Sequence, residues 1–368
     1  MIAPVRVMFV VQDFVVGGAE RHLIELWRGI DRSRFTIEIA CLSRRGPLAD
    51  EAGSLGWPIH DLAVGRRIYG PRGWRGLARL IHLVAAFRPG VVHGYLMTGG
   101  LMAALAGRAA GVPAVVIAKR NVDAFETPRQ RAVHRFALGL ATHVTAVSRA
   151  VARSAEALGV APERITVIPN GVDASRYAPR EAAPNGQVPV IGSVGCLAPR
   201  KDYATLIDAL AQLDRSGRRF RALLVGDGPE RAALEARARE RGLGDRITFA
   251  GERRDVADLL STMDVFVLSS REEGIANALL EAMAAGRAVV ATAVGGTPEV
   301  MAGGETGWLV PPGSPERLAE AIDQALDPGE AARRGQAARR AVVERMGIDA
   351  MVRAHERFYA AIAGERRG

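Results

Sequence analysis

The chain has 368 residues, 48% of them hydrophobic and 24% charged, which fits a folded protein of about two domains. Its two cysteines lie far apart in sequence, which argues against a disulfide framework and favours a reducing, cytoplasmic location. The net charge is +9, but only 5% of the residues are aromatic and no recognition motif is present, so no nucleic-acid partner is expected.

The positive charge is concentrated in the first half of the chain. Residues 1–180 contain 24 Lys or Arg against 13 Asp or Glu, whereas residues 181–368 contain 25 against 27. No acidic residue occurs between Asp61 and Asp123. This asymmetry predicts an anionic partner for the first half, such as a membrane surface or a phosphorylated substrate; the alternative is an Arg-rich solvated surface without a partner.

Short β-branched runs alternate with amphipathic segments, a pattern typical of βαβ units with parallel strands. In the first half, strands are predicted at Arg6–Val11, Thr36–Cys41, Val91–His93, Val115–Ala118, His143–Ala146 and Ile165–Ile168. Helices are predicted there at Ala19–Ile30, Trp74–Phe87, Met97–Ala110, Arg129–Leu140 and Arg149–Leu158. The apolar run at the N-terminus is too short for a signal peptide, and no run reaches the roughly 18 residues that a membrane-spanning helix needs.

The alternation restarts after Tyr177–Pro189, a segment that we interpret as a linker between domains because it is rich in Pro, Ala, Gly and Asn. Strands follow at Val190–Val194, Ala222–Val225, Ile247–Ala250, Val265–Leu268 and Val289–Ala291. Helices are predicted at Tyr203–Asp214, Glu230–Arg241, Val256–Met263, Asn277–Ala285, Pro315–Leu326 and Ala350–Ala363. The sequence thus predicts an α/β protein with two Rossmann-like, doubly wound parallel-sheet domains, 1–180 and 181–348, facing a central cleft, and a last helix within 349–368.

Two pairs of glycines follow predicted strands. Gly17 and Gly18 precede a helix, so a ligand can approach the backbone amides closely there. Gly226 and Gly228 follow another strand, but Arg231 stands where a dinucleotide-binding fingerprint needs glycine or alanine. A nicotinamide-dependent dehydrogenase is therefore disfavoured.

Arg200 and Lys201 lie between the strand that opens the second half and the helix predicted from Tyr203. Two cations beside a helix N-terminus can form a phosphate site. Lys201 and Lys119 are the only lysines in a chain with 47 arginines, so Lys201 indicates a site that needs a compact charge rather than a guanidinium fork.

Glu273 and Glu281 are separated by seven residues. Gly274 lies in the loop after a predicted strand, and Glu281 lies inside the following helix, about 6 Å along its axis. The first-turn amides between them, which suit a diphosphate, belong to Ile275, Ala276 and Asn277. This layout fits a ligand with a diphosphate between two hydroxyl-bearing ends, as in a sugar nucleotide.

Six runs, in chain order, resemble those of family-4 glycosyltransferases with the GT-B fold. The most specific is EEGIANALLEAMAAGRAVVAT followed by VGGTPEVMAGGETGWLVPPG. The supporting runs are GGAERHL, VIPNGVD, VGCLAPRKDYATLI and LLVGDGPER. Together they span nearly the whole chain.

The resemblance implies a retaining hexosyltransferase that uses a nucleotide-diphosphate sugar, with UDP preferred to GDP, in the synthesis of a cell-surface polysaccharide or glycolipid. Glu273 would contact sugar hydroxyls near the reacting carbon, Glu281 the ribose, and Lys201 the leaving diphosphate. Further donor contacts are implied for Arg200, Gly226, Gly274, Ile275, Ala276, Asn277 and, from the first domain, Gly17 and Gly18. The last helix would return to the first domain, and neither a metal nor another cofactor is expected.

Two positions depart from the family pattern. Cys196 stands where a phosphate-binding arginine often occurs, so either Arg200 compensates for it or the donor affinity is lower. Tyr95 replaces the second histidine of an H-x-H motif, while His93 is retained as a candidate catalytic residue; a histidine that ends a buried strand is also commonly structural. These departures leave open a non-catalytic, sugar-nucleotide-binding partner subunit on the same fold. A sugar-nucleotide epimerase of related fold is a second alternative, which no further residue supports.

The loop before the helix predicted at Trp74–Phe87 combines basic and apolar residues. They are Arg66, Arg67, Arg72 and Arg75 around Ile68, Tyr69 and Trp74. A basic residue near an anionic membrane contributes about 1 kcal/mol. We therefore expect a cytoplasmic enzyme that binds peripherally to the inner face of the plasma membrane and acts on a lipid-linked or saccharide acceptor.

Overall fold

The computed structural model describes residues 3–65, 68–178, 187–301 and 304–363. The chain forms two compact units, Met1–Gly171 with Ile348–Gly368, and Val172–Gly347. Tyr177, the first residue of the predicted linker, groups with the second unit: it is buried, and its carbonyl accepts a hydrogen bond of 2.7 Å from Arg339 Nη1. Residues 179–186 of that segment lie outside the described residues.

The first unit contains a parallel sheet of seven strands. They are β1 (Val5–Val11), β2 (Phe35–Cys41), β3 (Ile59–Asp61), β4 (Val91–Tyr95), β5 (Ala114–Lys119), β6 (His143–Ala146) and β7 (Ile165–Val167), in the order β3-β2-β1-β4-β5-β6-β7. The helices between them are α1 (Gly18–Gly29), α2 (Ala49–Ser54), α3 (Pro71–Phe87), α4 (Leu96–Ala109), α5 (Pro128–Leu140) and α6 (Arg149–Glu156).

Both faces of this sheet are buried, which explains why its strands are continuous apolar runs rather than alternating ones. In β1, Val7 and Phe9 belong to the core on one face, whereas Met8 and Val10 belong to the core on the other. The second core also contains Leu80 of α3. The first unit is therefore a doubly wound α/β fold, as predicted.

The second unit repeats this architecture with six parallel strands. They are β8 (Val190–Val194), β9 (Arg221–Val225), β10 (Ile247–Gly251), β11 (Val265–Leu268), β12 (Ala288–Thr292) and β13 (Trp308–Val310), in the order β10-β9-β8-β11-β12-β13. Its helices are α7 (Tyr203–Arg215), α8 (Arg231–Glu240), α9 (Val256–Thr262), α10 (Asn277–Ala284), α11 (Thr297–Val300), α12 (Pro315–Ala325) and α13 (Pro328–Arg345).

The last helix, α14 (Ile348–Ala363), packs in the first unit. Its Tyr359 is fully buried in the same core as Phe9 and Trp27. Gly29 at the end of α1 permits a close approach, because a Cβ there would lie 2.8 Å from Val352 Cγ2. The first unit is thus assembled from both ends of the chain.

The sequence pattern does not predict five of these elements. They are β3, β13, α2, α11 and α13. Four of them have only three to six residues, too few for a period to appear. The longest, α13, packs through small side chains: its buried residues include Gly335 and Ala338, and a Cβ on Gly335 would lie 2.3 Å from Gly286 O. In the part of the chain that the structure describes, no helix is both long and apolar enough to cross a membrane.

Candidate active site

The direction of strand succession in the second sheet reverses between β8 and β11. Ligands of doubly wound sheets bind at the carboxyl ends of the strands at such a reversal. The loop after β8 carries Arg200 and Lys201, and the loop after β11 carries Glu273 and Gly274. Four predicted site residues therefore meet where the topology alone would position a ligand.

Lys201 and Glu273 form an ion pair across these two loops. Lys201 Nζ lies 2.5 Å from Glu273 Oε1, which also accepts a hydrogen bond of 2.6 Å from Ser270 Oγ. The two side chains are only 13% and 5% exposed. Because desolvation offsets most of the attraction in a buried pair, this contact stabilises the fold little, but it fixes the positions of an ammonium and a carboxylate.

Hydrogen bonds join the loops that carry this pair. Ser269 Oγ donates to Lys201 O at 3.0 Å, and the Arg271 amide donates to Arg200 O at 2.8 Å. Asp202 has a left-handed φ of 49°, and its carboxylate accepts a hydrogen bond of 2.8 Å from Arg271 Nε. Lys201 and Glu273 are therefore held by two loops that support each other.

Two glycines let neighbouring loops pack against this region. Gly226, after β9, has a φ of +134°, and a Cβ there would lie 2.0 Å from Gly195 O. Gly295, after β12, has a φ of +52°, and a Cβ there would lie 1.7 Å from Glu273 O. Gly226 thus has a packing role, while its predicted donor contact stays a prediction. Sequence reasoning missed Gly295, although it lies directly against the backbone of Glu273.

Helix α10 begins just after the loop of Glu273. Its N-cap residue, Ala276, has no side-chain oxygen and makes no capping hydrogen bond, so the positive end of the helix dipole can accommodate an anionic group. The predicted amide donors lead into this helix; they are Gly274, Ile275, Ala276 and Asn277. Glu281 lies one turn further on and is half-buried. The predicted helix is confirmed, and the ligand contacts of these residues stay predictions.

Cys196 and Arg200 precede Lys201 on the loop after β8. Arg200 is half-buried in the short 3-10 turn Pro199–Lys201, and Cys196 is an exposed free cysteine. A Cβ on Gly195 would lie 3.7 Å from Lys201 Cε, so the lysine stem passes beside this loop. The exposed thiol of Cys196 follows directly after this glycine in the chain.

The first sheet has its own reversal, between β1 and β4. Gly17, after β1, is the N-cap residue of α1, and Gly18 is the first residue of that helix. A Cβ on Gly17 would lie 2.3 Å from Glu20 Oε2, and burial raises the pKa of Glu20. The two glycines therefore begin α1 at the carboxyl edge of the sheet, and their predicted contact with the donor stays a prediction.

His93, the candidate catalytic residue of the first unit, is fully buried in β4. Its Nδ1 lies 2.8 Å from Tyr359 Oη, and its Nε2 lies 3.3 Å from Thr145 Oγ1. Burial lowers the pKa of His93 well below its ordinary value, and the nearby charges of His355 and Arg120 act in the same direction. Both ring nitrogens have partners within the unit, which favours a structural role; the catalytic role stays a prediction.

Tyr95, two residues further along β4, is also buried. Its ring centroid lies 4.7 Å from that of His93 and 6.1 Å from that of His22. Burial raises the pKa of Tyr95 and lowers the pKa of His22, so the phenol and the imidazole are both held in their neutral forms. Neither ring nitrogen of His22 has a hydrogen-bond partner among the described residues.

Arg120 is a residue of this region that sequence reasoning did not select. It follows β5, donates a hydrogen bond to the buried Asn170 side chain, and interacts electrostatically with Tyr95 and Glu20. Burial lowers its pKa, whereas Tyr95 and Glu20 act in the opposite direction. The sequence feature that could have identified Arg120 as a site residue is its position just after a predicted strand.

A separate group of charges anchors the loop between β5 and α5. Lys119 Nζ pairs with Asp123, and His134 Nδ1 lies 3.0 Å from Glu126 Oε1. Ligand atoms of Asp123, Glu126 and His134 lie within 4.8 Å of one another, as a metal site would require. Because Lys119 already partners the carboxylate of Asp123 and His134 that of Glu126, the group is explained as an anchor of the loop.

Residues 16–176 match the family model described as Glycosyltransferase Family 4, and residues 188–328 match the one described as Glycosyl transferases group 1. A 2-deoxystreptamine glucosyltransferase from Streptomyces kanamyceticus is 34% identical over 63% of this chain and 67% of its own length. A GDP-mannose-dependent alpha-mannosyltransferase from Mycobacterium tuberculosis is 34% identical over 73% of this chain and 72% of its own length. The Anabaena protein HepE, solved with UDP and glucose, is similar in fold, with a TM-score of 0.84 at 24% identity over 97% of this chain and 100% of its own.

Proposed function

We propose that this chain, which belongs to the family-4 glycosyltransferases of the GT-B fold, moves a hexosyl group from a UDP-linked sugar to an acceptor hydroxyl with retention at the anomeric carbon. The observation that carries this proposal is the Lys201–Glu273 ion pair at the reversal of the second sheet. The choice of nucleotide, the stereochemistry and the acceptor class are all parts of the proposal.

Lys201 acts on the leaving group. As the bond between the anomeric carbon and the phosphate oxygen breaks, negative charge grows on the diphosphate, and a fixed ammonium stabilises that charge without reorganising. The N-terminus of α10 adds backbone dipoles at the same edge of the sheet. Lys201 thus performs the charge compensation for which many transferases use a metal ion.

Glu273 orients the sugar. Its Oε1 is held by both Lys201 Nζ and Ser270 Oγ, so the carboxylate can accept hydrogen bonds from sugar hydroxyls with little further loss of side-chain freedom. Glu281, inside α10, accepts hydrogen bonds from the ribose hydroxyls. The diphosphate then lies between the two carboxylates, beside the first turn of the helix.

UDP is favoured as the nucleotide by the likeness to HepE, whose structure contains UDP and glucose. The relative from Mycobacterium tuberculosis, named for its dependence on GDP-mannose, makes a GDP-sugar the competing donor. A panel of UDP- and GDP-sugars, with nucleotide release as the readout, separates the two. We expect slow UDP release from one UDP-sugar, and nucleotide release only from GDP-sugars would overturn the choice of UDP.

The same panel tests catalysis itself. Donor binding without any nucleotide release, even with acceptor mixtures, would favour a non-catalytic partner subunit. Conversion of one sugar nucleotide into another would favour an epimerase. Glu273→Gln is the matched control, because this variant should still bind the donor but release nucleotide much more slowly.

For the acceptor we propose a saccharide or lipid-linked saccharide of a cell-surface polymer or glycolipid, reached by peripheral binding to an anionic membrane. Tyr69 and Trp74 support this part, since they are 73% and 71% exposed next to the basic start of α3. We expect salt-sensitive binding to vesicles of phosphatidylcholine and phosphatidylglycerol. It should be lost when serine replaces Arg66, Arg67, Arg72 and Arg75, of which the first two lie outside the described residues. Wild-type protein that ignores such vesicles at low salt would contradict the membrane part.

A further inference from the structure

We infer that the first unit has a pocket for a phosphoryl group of the acceptor, formed by Arg45, Arg72 and Arg75. The inference rests on the proposed glycosyl transfer and narrows its acceptor to a class: a saccharide that carries a phosphate or diphosphate ester. The phosphoryl group can belong to a free sugar phosphate or to a lipid-linked one, and the experiments below separate these two sources.

A cavity of about 580 Å³ lies at the first unit's Arg-rich surface, beside the loops that follow β2 and β3. Tyr69, Val64 and Gly65 line it together with the three arginines. Small-molecule sites in proteins commonly have volumes of roughly 300–1,000 Å³. The cavity therefore has room for a phosphoryl group together with the sugar attached to it.

Among the residues that the structure describes, every charged one that lines this cavity is an arginine. Arg72 and Arg75 are three residues apart on α3 and so lie on neighbouring positions of one helix face. Arg45 Nε donates to Ser43 Oγ at 2.9 Å, and no carboxylate among the described residues pairs with Arg72 or Arg75. Guanidinium groups bind phosphate through paired N–H donors, so three of them around one cavity select a phosphoryl group over a neutral sugar.

The walls of the cavity are held by the fold. The Val64 amide donates to Leu42 O at 2.8 Å, which ties the loop after β3 to the end of β2. A Cβ on Gly76 would lie 2.1 Å from Val64 Cγ2, so α3 packs directly on that loop. On the opposite side, Arg45 O accepts a hydrogen bond of 2.8 Å from the Phe14 amide. The arginines therefore project from anchored backbone and can bind a ligand without ordering a loop first.

The start of α3 adds to the positive potential of the three arginines. Pro71 is its first residue, Gly70 provides no side-chain cap, and no acidic residue lies in the first turn. With 17 residues, α3 has a full helix dipole whose positive end adjoins the cavity.

The cavity lies at the same sheet edge as the loop of Gly17 and Gly18. The sheet order β3-β2-β1 puts the loops after β2 and β3 next to the loop after β1. The loop after β2 packs closely on the loop after β1 at Gly46. This glycine has a φ of +121°, and a Cβ on it would lie 2.1 Å from Phe14 O. An acceptor held by its phosphoryl group can therefore extend its sugar along this edge toward the reversal between β1 and β4.

The test is a calorimetric titration of inorganic pyrophosphate into protein already saturated with UDP, so that the donor site is occupied. Wild-type protein should bind pyrophosphate, and the double variant Arg72→Ala/Arg75→Ala should bind it at least about tenfold more weakly. Arg79→Ala, an exposed arginine of α3 that does not line the cavity, is the matched control and should leave the affinity unchanged. No binding by wild type, or equal affinity in the double variant, overturns the pocket.

Because UDP is added first, the experiment distinguishes failure of the proposed donor site from failure of the proposed phosphoryl pocket. Failure of UDP to bind removes the proposed donor site, and pyrophosphate titrated into protein without UDP then tests the cavity by itself. Normal UDP binding without any pyrophosphate site removes the pocket and leaves the transferase proposal standing.

Competition experiments identify the source of the phosphoryl group. Displacement of pyrophosphate by glucose 1-phosphate supports a soluble phosphorylated acceptor, and displacement by detergent-dispersed farnesyl diphosphate alone supports a lipid-linked one. If vesicles of phosphatidylcholine and phosphatidylglycerol bind while neither compound displaces pyrophosphate, the arginines form a membrane surface and the pocket is overturned. Trp74→Ala checks this outcome, because Trp74 is exposed outside the cavity and should matter for vesicles only.

Discussion

In each sheet the order of strands reverses at one point. A buried ion pair lies at this point in the second sheet, whereas buried aromatic and histidine rings lie at this point in the first sheet. In the second unit, Lys201 and Glu273 form an ion pair beside the N-terminus of α10. In the first unit, His93 and Tyr95 are held in neutral forms by burial. Fixed charge thus lies on the unit proposed to bind the donor, where bond breaking creates negative charge. In the first unit, the charged residue that acts on those rings is the buried Arg120, whereas the arginine pocket lies beside the loops after β2 and β3.

The largest expected effect comes from removing the carboxylate charge of the second unit. Glu273→Gln keeps the side-chain shape but weakens the contacts with Lys201 and with sugar hydroxyls, so turnover should fall about a hundredfold while UDP affinity stays near normal. Steady-state kinetics and calorimetry measure the two quantities. Glu272→Gln changes the adjacent buried carboxylate and should retain activity. Wild-type turnover in Glu273→Gln would remove Glu273 from the reaction.

The second prediction concerns Gly295, which packs against the backbone carbonyl of Glu273. Gly295→Ala places a methyl group against Glu273 O at a positive φ, and we expect a loss of about 2 kcal/mol in the free energy of unfolding. Gly313→Ala is a matched control, because Gly313 has a φ of +67° with no neighbouring atom within 4 Å. It should lose only about 1 kcal/mol, the cost of the backbone conformation itself. Equal losses in urea unfolding would show that the loop of Glu273 can move aside.

The third prediction concerns nucleotide affinity. Lys201→Ala and Glu281→Ala should each weaken UDP binding about tenfold, because each removes one charged hydrogen-bonding group from the proposed site. Calorimetry is the measurement, and Glu344→Ala, an exposed carboxylate of α13, is the control. Unchanged affinity in both variants would move the donor site away from the second unit's reversal.

The smallest expected effect is a loss of stability in acid that arises from the histidines of the first unit. All seven histidines lie outside Val172–Gly347. Burial lowers the pKa of His355 from 6.5 to about 4, and it lowers the pKa of His22 and of His93 well below 6.5. Below pH 6.5 the unfolded chain binds protons that these folded imidazoles exclude, so stability should fall as the pH drops from about 6.5 to about 4. The loss is at most about 1.4 kcal/mol per pH unit for each histidine.

Urea unfolding at several pH values measures this loss, with His22→Phe as the test variant. Because His22 makes no hydrogen bond to a described residue, the variant should keep its stability at pH 7 and show a shallower decline in acid. An identical decline would mean that His22 is not excluded from protonation in the folded chain.

The strands that form the two reversals are largely predictable from sequence. The bounds of β8 and β11 agree with the prediction, because buried parallel strands are continuous β-branched runs between turn residues. The pairing of Lys201 with Glu273 is not predictable in this way, since it joins loops 72 positions apart. The contact of His93 with Tyr359 spans 266 positions and depends on where the last helix packs. Local patterns specify elements, whereas such contacts depend on the order of strands in the sheet.

Because α14 packs in the first unit, the two units can complete their folding at different times during synthesis. The second unit is one continuous stretch, Val172–Gly347, whereas the first needs residues from both ends of the chain. During synthesis, the core that contains Phe9 and Trp27 is completed only by Tyr359, which leaves the ribosome after the whole of the second unit. The second unit can complete its own core before the first does. A nascent chain therefore exposes apolar surface of the first unit until its last helix emerges, and that is the interval in which a chaperone would bind it.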